Sequence, residues 1–125
     1  MLRRTISMLR VQNARASEAF FCDKLGFRTT WAHDPGDGFP VFLEVTRDNV
    51  SFHLSEHEGD GPASIQVYVG VDDAEALYAE FEGKGIETLS PLEHAEWGEM
   101  VFTLEDLDGN TLRFGSPVQA DDLSG

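Results

Sequence analysis

The stretch EWGEMVFTLEDLDGNTLRF, residues 96–114, raises the first chemical question of this sequence. It reads as strand, tight turn, strand, with Asp-Leu-Asp-Gly-Asn at the turn. An inward carboxylate at position 113 would help hold a divalent metal ion. Arg113 cannot, because a guanidinium is cationic and offers no lone pair. His33, His57 and His94 fall in expected loops without metal-ligand spacing, so solvation is their expected state. No Ser-His-Asp arrangement and no Gly-rich phosphate loop is present; GDGFP and GDGP are turn chemistry. Cys22 follows two phenylalanines on an expected helix, where a buried, inert thiol is expected.

Rings and carboxylates offer a different chemistry, that of binding. Trp31, Phe39, Phe42, Tyr68 and Trp97 can stack on a flat ligand or meet a cation. Trp97 lies in a polar loop before Gly98 with little core to fill, which favours a binding role. Phe42 is expected to pack in the core. Trp31 and Phe39 flank the acidic loop AHDPGDG, where Asp34 and Asp37 would attract positive charge.

The elements that must position these residues follow from the pattern. TISMLRV (5–11) is an expected strand. Next comes a helix over 13–26, with Asn13 as N-cap, Ala16, Ala19, Phe20 and Leu25 on its apolar face, and Gly26 as its stop. Strands are expected at 27–32, 39–45 and 50–56, the last two joined as a hairpin through TRDN. HEGDGPA (57–63) reads as a linker. The series then restarts: strand 64–71, helix 72–85, a short strand at 86–89, a loop over 90–98, strands 99–105 and 110–115, and a polar tail expected to fray.

A shift of 60 residues places Val11 on Val71, Ala14 on Ala74, Phe21 on Phe81 and Val41-Phe42 on Val101-Phe102, which indicates an internal repeat. Each half reads strand–helix–strand–strand–strand. The expected fold is α+β: two βαβββ repeats, about 5–56 and 64–116, in a single domain of 1–125. Their sheets would form an open curved surface whose concave face is the natural ligand site.

Bulk properties narrow the partners. A chain of 125 residues can bury a core without staples. Nine basic against 23 acidic residues, a net charge of -14, argue against a nucleic-acid partner and would draw in cationic ligands. No apolar run approaches the roughly 20 residues of a membrane span, and no signal peptide is read at the start. One cysteine allows no intrachain disulfide, so a cytoplasmic setting is expected.

The element order, with AFFCDKLGF after the first strand and DLDGNTLRF at the end, resembles the glyoxalase/bleomycin-resistance/extradiol-dioxygenase superfamily, the vicinal oxygen chelate fold, over about residues 5–116. TRDNVSFHLSE, VYVGVDDAEALYAEF and EWGEMVFTLEDLDGNTLRF are most similar to the bleomycin-resistance proteins. That resemblance implies a non-enzymatic homodimer that sequesters a cationic, aromatic glycopeptide antibiotic between subunits, with Trp97 contributing to the cleft. Ser7 stands where relatives often carry a proline that helps the first strand exchange. In the superfamily's enzymes four strand positions hold a metal; here they fall on Ile6, His53, Gln66 and Arg113. No cofactor and no catalytic metal are therefore expected. His53, Gln66 and Arg113 would instead line a polar floor, with Tyr68 beside them. Two alternatives stay open: a metal-dependent glyoxalase- or dioxygenase-type enzyme using His53, Gln66 and a carboxylate such as Glu44 or Glu56, and a binder of an unrelated metabolite.

Overall fold

A computed structural model describes residues 1–118. The tail expected to fray lies outside the described residues from position 119 on. Among the described residues the chain forms eight strands: β1 (Ser7–Arg10), β2 (Arg28–His33), β3 (Phe42–Arg47), β4 (Val50–Ser55), β5 (Gln66–Gly70), β6 (Glu93–Ala95), β7 (Glu99–Glu105) and β8 (Thr111–Pro117). They build two four-stranded mixed sheets, ordered β1-β4-β3-β2 and β5-β8-β7-β6. β1 runs parallel to β4 and β5 parallel to β8; the other pairs are antiparallel. The strands of each unit follow the expected βαβββ order, with helix α1 (Ala14–Ala19) in the first and α2 (Ala74–Gly83) in the second.

Residues 1–65 and 106–110 form one compact unit; Gln66–Glu105 and the chain from Thr111 form the other. The turn 106–110 belongs with the first because Asn110 is buried there. Its Oδ1 accepts from the Ile65 amide at 3.0 Å, and its Nδ2 donates to the Arg10 carbonyl at 3.4 Å and to Asp106 at 2.9 Å.

Each sheet turns one face to its helix. In the first unit that face carries Leu9, Leu43, Val45, Phe52 and Leu54, all essentially inaccessible. Phe21 and Phe27 pack on Phe52 with ring centroids 5.5–5.7 Å apart. In the second, Phe81 meets Phe102 and Phe114, with Leu104 and Leu112 beside them. Burying a large apolar side chain contributes about 1.5–3 kcal/mol, so these layers hold the sheets in register.

Four expectations need correction. The buried side of the first helix is Ala14, Ser17, Phe21 and Leu25, while Ala16 and Ala19 are exposed. Asn13 caps as expected, accepting from the Ala16 amide at 3.0 Å. Beyond Ala19 the helix widens into a π-helical turn over Phe20–Lys24. Phe21 and Leu25, four residues apart, share one side. The fourth strand of the second sheet is Glu93–Ala95, not 86–89. Around 88–90 side chains take over the edge pairing: the Thr88 hydroxyl donates to the Glu105 carbonyl and accepts from its amide, and the Ser90 hydroxyl accepts from the Thr103 amide. The repeat slips by one on β3. Phe42 faces Ser55 and Val101 faces Gly115, so Val101, not Phe102, is the counterpart of Phe42. The first β-hairpin connects Thr46 to Ser51, while the second connects Glu105 to Thr111 with one more residue. A one-residue slip exchanges sheet faces. Cys22, finally, is only half-buried, its sulfur 3.8 Å from the Thr29 hydroxyl.

Candidate functional site

The sheet faces away from the helices carry the polar and aromatic side chains. In the first unit, β2 shifts register between Thr29 and Trp31, so Thr30 and Trp31 both meet Glu44 of β3. A β-bulge re-aims side chains in this way. Trp31 then stacks on Phe42, with centroids 5.3 Å apart and planes 9° from parallel. Phe42 is thus a half-buried member of the ring cluster, not the core residue expected from its sequence. His53 stands steeply against both, 5.4 Å from Trp31 and 5.0 Å from Phe42.

Glu44 is the polar centre of this face and is only 5% exposed. It accepts from the Thr30 hydroxyl at 2.5 Å and from His53 Nε2 at 3.0 Å, and Arg4 lies 3.6 Å away. The Thr30 bond, assisted by His53 and Arg4, lowers its pKa against the opposing cost of burial. An ionised carboxylate only accepts, so Nε2 is the protonated nitrogen of His53 in this pair. Beside the rings, Trp31, His33, Phe42, His57 and Asp60 line a cavity of about 370 Å³.

Of the acidic loop residues, Asp34 accepts from Arg15 at 3.3 Å and from the Gly36 amide at 3.2 Å, so its charge is already shared. Asp37 sits exposed in a turn at φ 54°, and Phe39 is 63% exposed. His33 ends β2 and His94 lies in β6, both exposed strand positions instead of loops.

In the second unit the corresponding face carries Gln66 and Tyr68 of β5, Glu99 and Thr103 of β7, and Arg113 and Gly115 of β8. A turn over 96–98, closed by Gly98 at φ 90°, leads Trp97 into β7. Trp97 is 70% exposed yet held: its Nε1 donates to Glu99 at 3.0 Å, and the Arg113 guanidinium lies 5.6 Å from its ring centroid. The other Glu99 oxygen accepts from the Tyr68 hydroxyl. That bond, then Trp97, then Arg113 lower the Glu99 pKa, and the Glu99 carboxylate in turn raises that of Tyr68. Gly115 makes the arrangement possible. A Cβ there would lie 2.7 Å from the Tyr68 hydroxyl and 2.8 Å from the Glu99 carboxylate.

The donor sets do not fit a catalytic metal. Among the described residues no three His, Cys, Asp or Glu side chains converge to hold one. Glu44 does share a face with His53, but Thr30 and Arg4 already engage it. Glu56 is turned to backbone, accepting from the Ala14 and Val41 amides. The second unit offers Gln66, paired with Thr111, on the face that also carries Arg113. Thr30, Glu99 and Gly115 escaped the sequence reading as site residues, and Glu44 entered it only as a carboxylate for a metal. The alternation of Phe42, Glu44 and Thr46 with Leu43 and Val45 could have placed Glu44 on this face. Nothing in the sequence announces the bulge at Thr30 or the close approach at Gly115.

The glyoxalase superfamily model matches residues 1–121, so the chain belongs to that superfamily. No curated protein matches the sequence. Among solved structures, the antibiotic-binding protein TnmS3 from Streptomyces sp. CB03234 is similar at 20% identity, over 94% of this chain and 97% of that one, with a TM-score of 0.75. The bleomycin-binding protein of bleomycin-producing Streptomyces verticillus, solved with copper(II)-bleomycin, is 23% identical over 91% and 97% of the two chains, at 0.68. A lactoylglutathione lyase from Agrobacterium tumefaciens is 16% identical over 91% and 92%, at 0.71. At these identities the likeness establishes the fold, and the fold hosts both binders and enzymes.

Proposed function

We propose that this glyoxalase-superfamily protein binds a small aromatic molecule and sequesters it without making or breaking bonds, with bleomycin-type glycopeptide antibiotics as the first class to test. The observation that carries this reading is Trp97, a largely exposed indole anchored at its Nε1 by Glu99. A ring fixed in this way loses little freedom on stacking, and each aromatic contact contributes about 0.5–1.5 kcal/mol. In the first unit, Trp31, Phe42 and His53 supply a second aromatic surface beside the 370 Å³ cavity. Asp37 and Phe39, exposed in the same loop, are assigned to a cationic group of the ligand; Asp34 contributes less because Arg15 shares its charge. The antibiotic-binding solved structures support this class of ligand. The exposed rings Trp31, Phe39, Tyr68 and Trp97 also support a homodimer that covers part of them, which light scattering on the purified protein would read.

The test is a titration of tryptophan fluorescence with metal-free bleomycin, in a chelator at moderate salt. Saturable quenching at about micromolar ligand or below, abolished in Trp97→Ala, is the expected result. An unchanged spectrum up to high ligand removes the bleomycin class. Loss of binding in the chelator that zinc restores removes the metal-free reading.

A further inference from the structure

Arg113 carries a guanidinium with five donors, yet among the described residues it forms no salt bridge. Glu99 is the nearby carboxylate, and both of its oxygens are taken, one by Trp97 and one by Tyr68. Gly115 leaves the space that holds Glu99 in that role. The guanidinium lies over the Trp97 ring, and in register Tyr68 flanks Arg113 on β5 and Thr103 on β7. A second cation laid on the indole would share the same ring quadrupole and meet a like charge. An anion gains at this place, because a carboxylate matches the planar fork of an arginine with two parallel hydrogen bonds.

We infer that the Trp97–Arg113 platform is a subsite for an aromatic carboxylate, the ring stacking on Trp97 and the carboxylate engaging the guanidinium. The inference rests on the reading of Trp97 as a stacking surface and narrows its ligand from any aromatic to one with an anionic edge. It sets this subsite apart from the acidic loop of the first unit, where a cationic group is favoured. Glu99 serves as the positioning residue: it holds the indole and leaves Arg113 free for the ligand.

Three naphthalene probes of one ring shape separate charge from stacking: 2-naphthoate, 2-naphthamide and 2-naphthylmethylammonium, each titrated at about 0.15 M salt, where the -14 net charge is largely screened. The expected result is that 2-naphthoate binds about tenfold or more tightly than the amide, with the ammonium weakest. Arg113→Gln brings naphthoate down to the amide without weakening the amide itself, and Trp97→Ala weakens all three. Far-UV circular dichroism checks that both variants remain folded. An ammonium probe that binds as tightly as naphthoate overturns the inference, as does a naphthoate preference that survives Arg113→Gln or the failure of all three probes. Bleomycin binding that persists while naphthoate shows no preference removes the anionic subsite and leaves sequestration standing. Naphthoate preference without bleomycin binding does the reverse.

Discussion

Thr30 governs the charge of Glu44, the most buried acid on the first unit's ring-bearing face. The folded-state pKa of Glu44 lies below its ordinary value of 4.5, with the Thr30 hydrogen bond as the largest cause. Such a group stabilises the fold above about pH 4.5, and that contribution is lost as pH falls through the folded-state value. Thr30→Val removes the bond while keeping the shape of the side chain. At pH 7 we expect a loss of about 1–3 kcal/mol, the range for a hydrogen bond to a charged group. Denaturant melts at descending pH should show the gap between wild type and variant narrowing once pH falls below 4.5, as Glu44 becomes protonated first in the unfolded and then in the folded state. A pH-independent gap would mean that Thr30 acts through packing and not through the carboxylate.

At the scale of elements, β8 shows how a strand can serve a site by what it lacks. Its helix-side residues Leu112 and Phe114 belong to the core, while Gly115 opens the other face to Tyr68 and Glu99. Glycine in a strand ordinarily weakens it, so a substitution to alanine should help on propensity alone. Here the added methyl would meet the far ends of the Tyr68 and Glu99 side chains at 2.7–2.8 Å, and those side chains must move aside. Gly115→Ala is expected to displace them with little loss of stability. It should also release Trp97 from Glu99. In a Trp31→Phe background, which leaves Trp97 as the sole tryptophan, its emission should shift and its anisotropy fall. Unchanged emission together with higher stability would show that the Glu99 contacts are not what holds the indole.

For the molecule as a whole, the surplus of acids opposes compaction. With 23 acidic and nine basic residues the folded chain repels itself, and salt screens that repulsion. Raising NaCl from about 20 mM to about 500 mM should raise Tm, by about 3–5 °C for each kcal/mol of repulsion removed. A flat or falling Tm would place the acids in favourable pairs, as Arg15 already forms with Glu18 and Asp34.

The sequence by itself determined the order of elements and the two-fold repeat, because turn signals and the spacing of apolar residues are local. Seven of the eight strands among the described residues and the Asn13 cap were legible in this way; the buried side of the first helix was misread, although Ala14, Ser17, Phe21 and Leu25 keep a helical spacing. Trp97 stood out as a ring that a core would not need, while His53 and Arg113 were singled out through the family resemblance. Which of them meet was decided by the tertiary structure. The bulge that joins Thr30 and Trp31 to Glu44, the one-residue difference between the two hairpin turns that puts Phe102 but not Phe42 on a core face, and the missing Cβ that lets Tyr68 and Glu99 approach each depend on pairing between strands. Such pairing couples residues far apart in the chain, and local pattern carries no record of it. Composition likewise pointed to a cationic ligand, but charge summed over a surface does not say which carboxylates are already engaged. Asp34 is held by Arg15 and Glu99 by Trp97 and Tyr68, while the guanidinium of Arg113 lies over the Trp97 ring.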